Sequence, residues 1–454
     1  MTSIKKLAYR GALWTTLGYG TSQVLRFVNN IILAWLLGPE YFGLMAVVNI
    51  LLTGLELFSD IGIGQNIVRS KRGDELNFLN TAWTVQAMRG FLLWFFCLAI
   101  TIPAARYYED ERLLYLLPFV GLSSIFTGFS STSIHTLNRQ MSLEKLTVFE
   151  LVTQVFSIAV MLSVAYYNRN SVWSLAIGGV SLHVSRMLIS HKLIPGFRNR
   201  FAWDKSAFEE IISFGKWVFF ATALMFLAEQ ADRLILGKLL SFTTLGVYSI
   251  AYTLASMPRE IIKRLSYKVI FPAISNHIDL PRSTLRSKIL HQRRKILIAF
   301  ALPLAGLVTV GDLIIGFLYK EDYIQATWMM PILCTGIWFS VLFYTTSPAL
   351  LAIGKPLYSS QSNLARFLVI SIGLPLAFRN YGILGAIVAI AVSDMPLYLV
   401  NLYGLWREKL SCFIQDIQGT VCFIVSLITL LLIRYYSGLG LPIQNLLESS
   451  LKNS

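Results

Sequence analysis

The chain of 454 residues is 55% apolar and only 14% charged, with a mean hydropathy of +0.61. Soluble domains carry roughly 25% charge, so a water-soluble enzyme or binding module is excluded and a polytopic membrane protein is expected. The net charge of +15 does not call for nucleic acid, because basic loops beside a bilayer are held by anionic headgroups.

A span needs about 20 predominantly apolar residues, and the sequence supplies them at 12–37, 42–66, 79–102, 113–137, 146–167 and 172–191. A polar break at 192–206 precedes further runs at 208–237, 244–262, 296–318, 327–353, 358–378 and 382–404, with one more at 419–435. The expected architecture is all-α: a six-helix bundle over 1–191, a cytoplasmic linker at 192–206 and a second six-helix bundle over 207–404. Residues 405–454 would hold a cytoplasmic connection, an extra transmembrane helix and a tail. The apolar run after Arg10 is longer than a signal-peptide core of about 7 to 15 residues, so a retained first span is expected.

Lys and Arg sort by connection. They crowd the N-terminus (Lys5, Lys6, Arg10), the 69–72 and 139–145 turns, the 186–205 and 263–295 segments, Lys355, and Arg407 with Lys409. The intervening connections hold isolated cations such as Arg106, Arg112, Lys320, Arg379 and Arg434. By the positive-inside rule the crowded side is cytoplasmic, with the N-terminus inside and the tail after Arg434 outside.

The external connections are short, and the Glu109-Asp110-Glu111 run near Pro103 reads as a charged solvated turn. No Walker motif is present, so energy would come from an ion or substrate gradient. Cys97, Cys334 and Cys422 fall in apolar runs and Cys412 in a connection, a spacing that supports neither a disulfide framework nor a zinc site. His135 and His183, near span ends, read as satisfied polar contacts. No catalytic residue, cofactor or metal is expected.

Leu33–Gly43 and Leu236–Gly246, 203 residues apart, share Leu33/Leu236, Leu36/Leu239, Leu37/Leu240 and Gly43/Gly246, with Ile32/Ile235 just before. Such duplication points to a transporter of two related halves, with the substrate site at their interface. Leu37-Gly-Pro-Glu-Tyr-Phe-Gly43, Ser59-Asp-Ile-Gly-Ile-Gly64 and Val68-Arg69 then resemble the polysaccharide-transport (Wzx-type) flippases of the multidrug/oligosaccharidyl-lipid/polysaccharide exporter superfamily. Asp232-Arg-Leu-Ile-Leu-Gly237 and Leu245-Gly-Val-Tyr-Ser-Ile-Ala-Tyr252 are similar to the seventh and eighth spans of those proteins.

The resemblance implies two six-helix bundles around a central cleft and transport of a lipid-linked oligosaccharide from the cytoplasmic to the outer leaflet by alternating access. The cargo would be a sugar chain on undecaprenyl diphosphate, exported for cell-surface polysaccharide such as O-antigen. The protein would sit in the cell inner membrane among membrane lipids, beside a polysaccharide polymerase and glycosyltransferases. Six spans per repeat keep the two halves in parallel orientation. The alternatives are an ion-coupled multidrug or metabolite cation antiporter of the same superfamily and a membrane glycosyltransferase or ligase, the latter disfavoured by the short external loops.

Charges within the predicted spans are Arg26, Glu56, Asp60, Arg89, Lys216, Glu229, Asp232, Arg233, Arg259, Glu260, Arg366 and Asp394. Each costs roughly 2.5–3.5 kcal/mol at a lipid-facing helix centre, so they should face a cleft or each other. Lys216, Asp232 and Arg233 lie toward span ends and carry no mechanism here.

The 203-residue offset pairs Arg26 with Glu229 and Glu56 with Arg259, opposite charges at equivalent positions. Arg26 and Glu56 lie about 18 and 22 Å from the outer surface by helical rise. Pairs across the halves would form a gate; pairs within each bundle, Arg26 with Glu56 and Glu229 with Arg259, would be a static brace. Arg26, Arg89, Arg259 and Arg366 are candidates for a cationic cleft that takes the diphosphate, with pairing to Glu56 or Asp394 as the alternative. Asp60 and Asp394 are candidates for proton or sodium coupling, with a helix-capping role the alternative for Asp60.

Prolines 118, 258, 303, 331, 348, 375 and 396 should kink their spans, with Pro258 beside Arg259 the candidate hinge.

Overall fold

The computed structural model describes the backbone of residues 2–442 and the side chains of these except 2–13, 15 and 214–225. Lys5, Lys6, Arg10, Lys216 and Lys452 lie outside the described side chains. The chain is an all-α polytopic membrane protein that divides into two compact units, Met1–Phe226 and Leu227–Ser454.

The first unit holds α1 (Thr2–Leu36), α2 (Pro39–Phe58), α3 (Ile63–Arg69), α4 (Leu76–Tyr108), α5 (Leu113–Gly128), α6 (Ser133–Arg139), α7 (Leu143–Tyr167), α8 (Trp173–Ser190) and the start of α9 (Lys205–Leu239). Helix α4 runs along α5, α7 along α8 and α1 along α7. Small residues set the α4–α5 approach: a Cβ on Gly90 would come within 2.6 Å of the Ser124 carbonyl oxygen, and one on Gly128 within 3.0 Å of that of Gln86. Without a hydrophobic force between helices in lipid, close backbone packing of this kind holds them together.

Two breaks in the first unit have visible causes. Between α2 and α3, Gly62 adopts φ 62° and ψ 37°, and its N–H donates to Asp60 Oδ1 at 2.9 Å. Between α5 and α6, bent by 56°, Gln86 Nε2 donates to the carbonyls of Thr127, Gly128 and Ser130 at 3.0–3.1 Å. These bonds satisfy backbone groups that would be costly to leave unmade in the bilayer. Arg139 does the same for α3, with Nη1 donating to the carbonyls of Ile67, Val68 and Ser70. Arg139→Ala should therefore cost about 1–3 kcal/mol, read as a lower unfolding midpoint in detergent.

The polar connection at 192–206 is pinned along the first turns of α4. The N–H groups of Arg200, Ala202 and Asp204 donate to Asn80 Oδ1, Thr84 Oγ1 and Thr81 Oγ1 at 3.0–3.1 Å. Arg72 closes the loop on Asp204 at 2.6 Å. Hydrogen bonds from Ser206 and Arg72 hold the Asp204 carboxyl well below its ordinary value. The ionised form thus favours the folded chain, a contribution present at neutral pH and lost as pH falls through the depressed value. Asp204→Asn should flatten the acid limb of the stability–pH curve below about pH 4, as followed by thermal unfolding.

The second unit holds the end of α9, α10 (Phe242–Ala255), α11 (Met257–Leu265), a π-helical turn (Ser266–Ile270), α12 (Phe271–Ser275), α13 (Arg282–Leu318), α14 (Ala326–Tyr344), α15 (Ser347–Ala352), α16 (Leu357–Val392), α17 (Asp394–Arg407) and α18 (Phe413–Tyr436). Helix α14 is the buried centre, touched by α10, α13, α16 and α17. Its Gly336 is indispensable at this spacing, since a Cβ there would fall 2.0 Å from the Ala391 carbonyl oxygen. Helix α16 reverses at Gly382, whose φ of 60° with ψ −145° only glycine adopts readily.

Each apolar run expected from the sequence falls on helix, but several are interrupted. Among the described residues seven helical segments are long and apolar enough to cross a membrane, or eight if the bent α5–α6 pair is one span. Helix α10, at 14 residues, is shorter than a full span because the chain breaks at Ser256. Pro258 and Pro348 start α11 and α15 instead of kinking longer helices, as suits a residue without an N–H. The segment at 419–435 belongs to α18, which docks on the second unit: Trp338 stacks on Phe423 at 4.9 Å and donates to Thr420 Oγ1 at 2.9 Å.

Candidate functional site

In the first unit the predicted charges do separate jobs. Arg26 is exposed and donates to Ser22 Oγ at 3.1 Å, one turn away on α1. Arg89, on α4, caps the C-terminus of α2: Nη2 donates to the Glu56 carbonyl at 2.7 Å and Nε to Ser59 Oγ at 3.0 Å. A guanidinium placed there also answers the negative end of the α2 dipole. Asp60 forms the turn that admits α3, through the bond to Gly62.

The second unit gathers its charges. The break at Ser256 and the restart at Pro258 set Arg259 in the first turn of α11, 8% exposed. Its Nη2 pairs with Asp394 Oδ2, its Nε donates to Ser340 Oγ at 2.9 Å and its Nη1 to Tyr252 OH at 2.9 Å. Asp394 is fully buried at the first position of α17, where free backbone N–H groups favour a carboxylate. Its other oxygen, Oδ1, faces Arg366 Nε on α16 at 3.0 Å, while Ser340 donates to Oδ2 beside Arg259. One carboxylate thus lies between two buried guanidiniums, an arrangement that leaves a unit of positive charge.

Beside this triad is a cavity of about 200 Å³ within the second unit, lined by Arg233, Arg259 and Arg366, Tyr252, Glu229 and Glu260 among others. Arg233 stacks over the Tyr252 ring at 4.7 Å, and Asp232 is buried with its Oδ2 accepting from Tyr248 OH at 2.6 Å. Glu229 is taken by Lys263. Three guanidiniums therefore face the space with few uncommitted carboxylates, a wall suited to a phosphate or carboxylate ligand.

Of the residues singled out in the sequence, Arg259, Arg366 and Asp394 meet directly, with Glu229 on the same cavity. Arg366 and Arg259 share Asp394, the carboxylate named in the sequence as the alternative partner of the candidate arginines. Asp232 and Arg233, set aside as span-end charges, stand at the site. Their signal was present in the Asp232-Arg233 and Tyr248–Tyr252 motifs. Ser340 and Lys263 carried none, since an isolated Ser in an apolar run and a Lys in a basic stretch are unremarkable.

The model of a family described as "Polysaccharide biosynthesis protein" matches residues 32–328. The teichuronic acid biosynthesis protein TuaB of Bacillus subtilis (strain 168) is 23% identical, over 94% of this chain and 91% of that protein. Among solved structures, the lipid II flippase MurJ in an inward closed conformation superposes with a TM-score of 0.74 at 15% identity, covering 94% of this chain and 93% of its own. An inward-facing multidrug resistance MATE family transporter of the MOP superfamily gives 0.64 at 15% identity, covering 86% and 94%. The fold is thus that of these transporters, and the chain belongs to the polysaccharide biosynthesis protein family.

Proposed function

We propose that the protein is a flippase that moves a polyprenyl-diphosphate-linked oligosaccharide from the cytoplasmic to the outer leaflet by alternating access, without catalysing a covalent step. The observation that carries this reading is the guanidinium wall of Arg233, Arg259 and Arg366 around a cavity in the membrane-embedded second unit. Arginine recognises a diphosphate through its fork of donors and its permanent charge. At about 200 Å³ the space is smaller than the roughly 300–1,000 Å³ of pockets that enclose whole ligands, so it suits a headgroup while sugar and prenyl chain lie elsewhere. The family match and the fold shared with a lipid II flippase support the same cargo class.

The cation-antiporter reading asks for a carboxylate-rich cavity, whereas Asp394 and Glu229 are both engaged by cations and Glu260 shares the cavity wall with three arginines. The basic sorting of the loops supports an N-terminus in the cytoplasm, and in this reading the protein works in the inner membrane, where a polymerase and glycosyltransferases would supply and take up the cargo. Ion coupling at Asp60 or Asp394 is part of this proposal, and would appear as transport that responds to a pH or sodium gradient; coupling through Asp60 predicts that Asp60→Asn keeps transport and loses that response.

A gate between the halves, Arg26 with Glu229 or Glu56 with Arg259, requires an exchange of partners, because Arg259 is now held by Asp394 and Glu229 by Lys263. Reversing Arg26 and Glu229 together should recover transport lost in either single reversal; no recovery removes that pairing.

In proteoliposomes, the purified protein should flip a fluorescent polyprenyl-diphosphate oligosaccharide, and Arg366→Gln should slow flipping about 10- to 100-fold, from charge-assisted bonds of about 1.5–3 kcal/mol. Absence of flipping together with efflux of an organic cation would favour the antiporter instead.

A further inference from the structure

We propose that a second pocket, at the basic end of α13, binds the phosphate headgroup of an anionic phospholipid. The pocket lies within the second unit, has a volume of about 360 Å³ and is lined by the π-helical turn, α12 and the first turns of α13, with Thr345 opposite.

Its walls differ in chemistry. Ile274, Leu285 and Ile289 are buried and supply an apolar side, while Lys288 and His291 are exposed on α13 and supply a cation and an imidazole N–H donor at the rim. Arg293 closes the floor. It is 2% exposed, donates from Nε to Thr345 Oγ1 at 2.9 Å and pairs with Asp416, which in turn accepts from Tyr398 OH at 2.8 Å. Arg293 is therefore fixed and neutralised by its own partners, and the Lys288 ammonium with the His291 ring are the groups that a ligand would meet.

The length of α13 fixes where this pocket stands. Its 37 residues extend about 55 Å at 1.5 Å per residue, against roughly 30 Å of hydrocarbon. The apolar portion begins at Ile296, so 282–295 projects beyond the hydrocarbon into the headgroup layer. A soluble anion needs no apolar wall, and an uncharged lipid needs no cations. Together they fit a phosphodiester with its first acyl carbons against the isoleucines, as basic pockets between membrane helices do. This inference stands independently of the transported cargo.

The test is thermal unfolding of the full-length protein in detergent with phosphatidylglycerol, phosphatidylcholine or inorganic phosphate added. Phosphatidylglycerol should raise the midpoint by about 4 °C over phosphatidylcholine. Lys288→Gln combined with His291→Gln should remove that increment while leaving the lipid-free midpoint unchanged, and Arg379→Gln should retain it. Equal shifts with both lipids, a phosphatidylglycerol shift that survives the double substitution, or an equal shift with inorganic phosphate would overturn the proposal.

Discussion

Asp394→Asn should lower stability by about 3–5 kcal/mol and abolish polysaccharide export, the largest effect expected of any single change at the site. The reason lies in what remains. Asp394 is fully buried and is the shared partner of Arg259 and Arg366, themselves 8% and 4% exposed. Neutralising it leaves two buried guanidiniums without the carboxylate they share. Removing one partner of a buried ion pair is far costlier than never having had the pair. Arg366→Lys separates folding from recognition: it keeps a positive charge for Asp394 but loses the planar fork. That variant should unfold within about 1 kcal/mol of the parent while export falls, measured as cell-surface polysaccharide at matched protein level. Normal export in Arg366→Lys would show that the guanidinium is only a brace.

Asp416→Asn should produce a comparable loss, about 3–5 kcal/mol, from a purely structural cause. Arg293, 2% exposed, pairs with Asp416 and ties α13 to α18, with Tyr398 and Thr345 completing the network. Asp416→Leu combined with Arg293→Leu should recover most of the stability lost in Asp416→Asn, because replacing both members of a buried pair with apolar groups is often neutral. Unfolding midpoints of the single and double variants check this. A double variant as unstable as the single would mean that the pair specifies the packing of α18 and does not merely satisfy itself.

The sequence was most informative where a long apolar run could mean only one thing. Each run coincides with helix, and the motif at 59–64 marked a turn whose Asp60–Gly62 bond the structure shows. Interruptions were harder to read. Pro258 inside an apolar stretch looks the same whether it kinks a helix or starts one, and only the non-continuation at Ser256 distinguishes them. Partners were harder still. Charges at 259, 366 and 394 were visible as a group that ought to face a cleft, but the contact of Arg366 with Asp394 depends on how α16 and α17 fold back at Gly382. Arg293 read as one cation of a solvated basic loop, yet tertiary packing buries it against Asp416. Local spacing carries no record of such long-range meetings.

The role proposed for the guanidinium wall of Arg233, Arg259 and Arg366 is transport of a lipid-linked diphosphate. It is tested most directly by measuring which leaflet holds the lipid-linked oligosaccharide in cells that lack the protein or carry Arg366→Gln. The oligosaccharide should accumulate on the cytoplasmic leaflet in both strains and move outward when the parent protein is restored. An unchanged distribution between leaflets, with export intact in the Arg366→Gln strain, would contradict it.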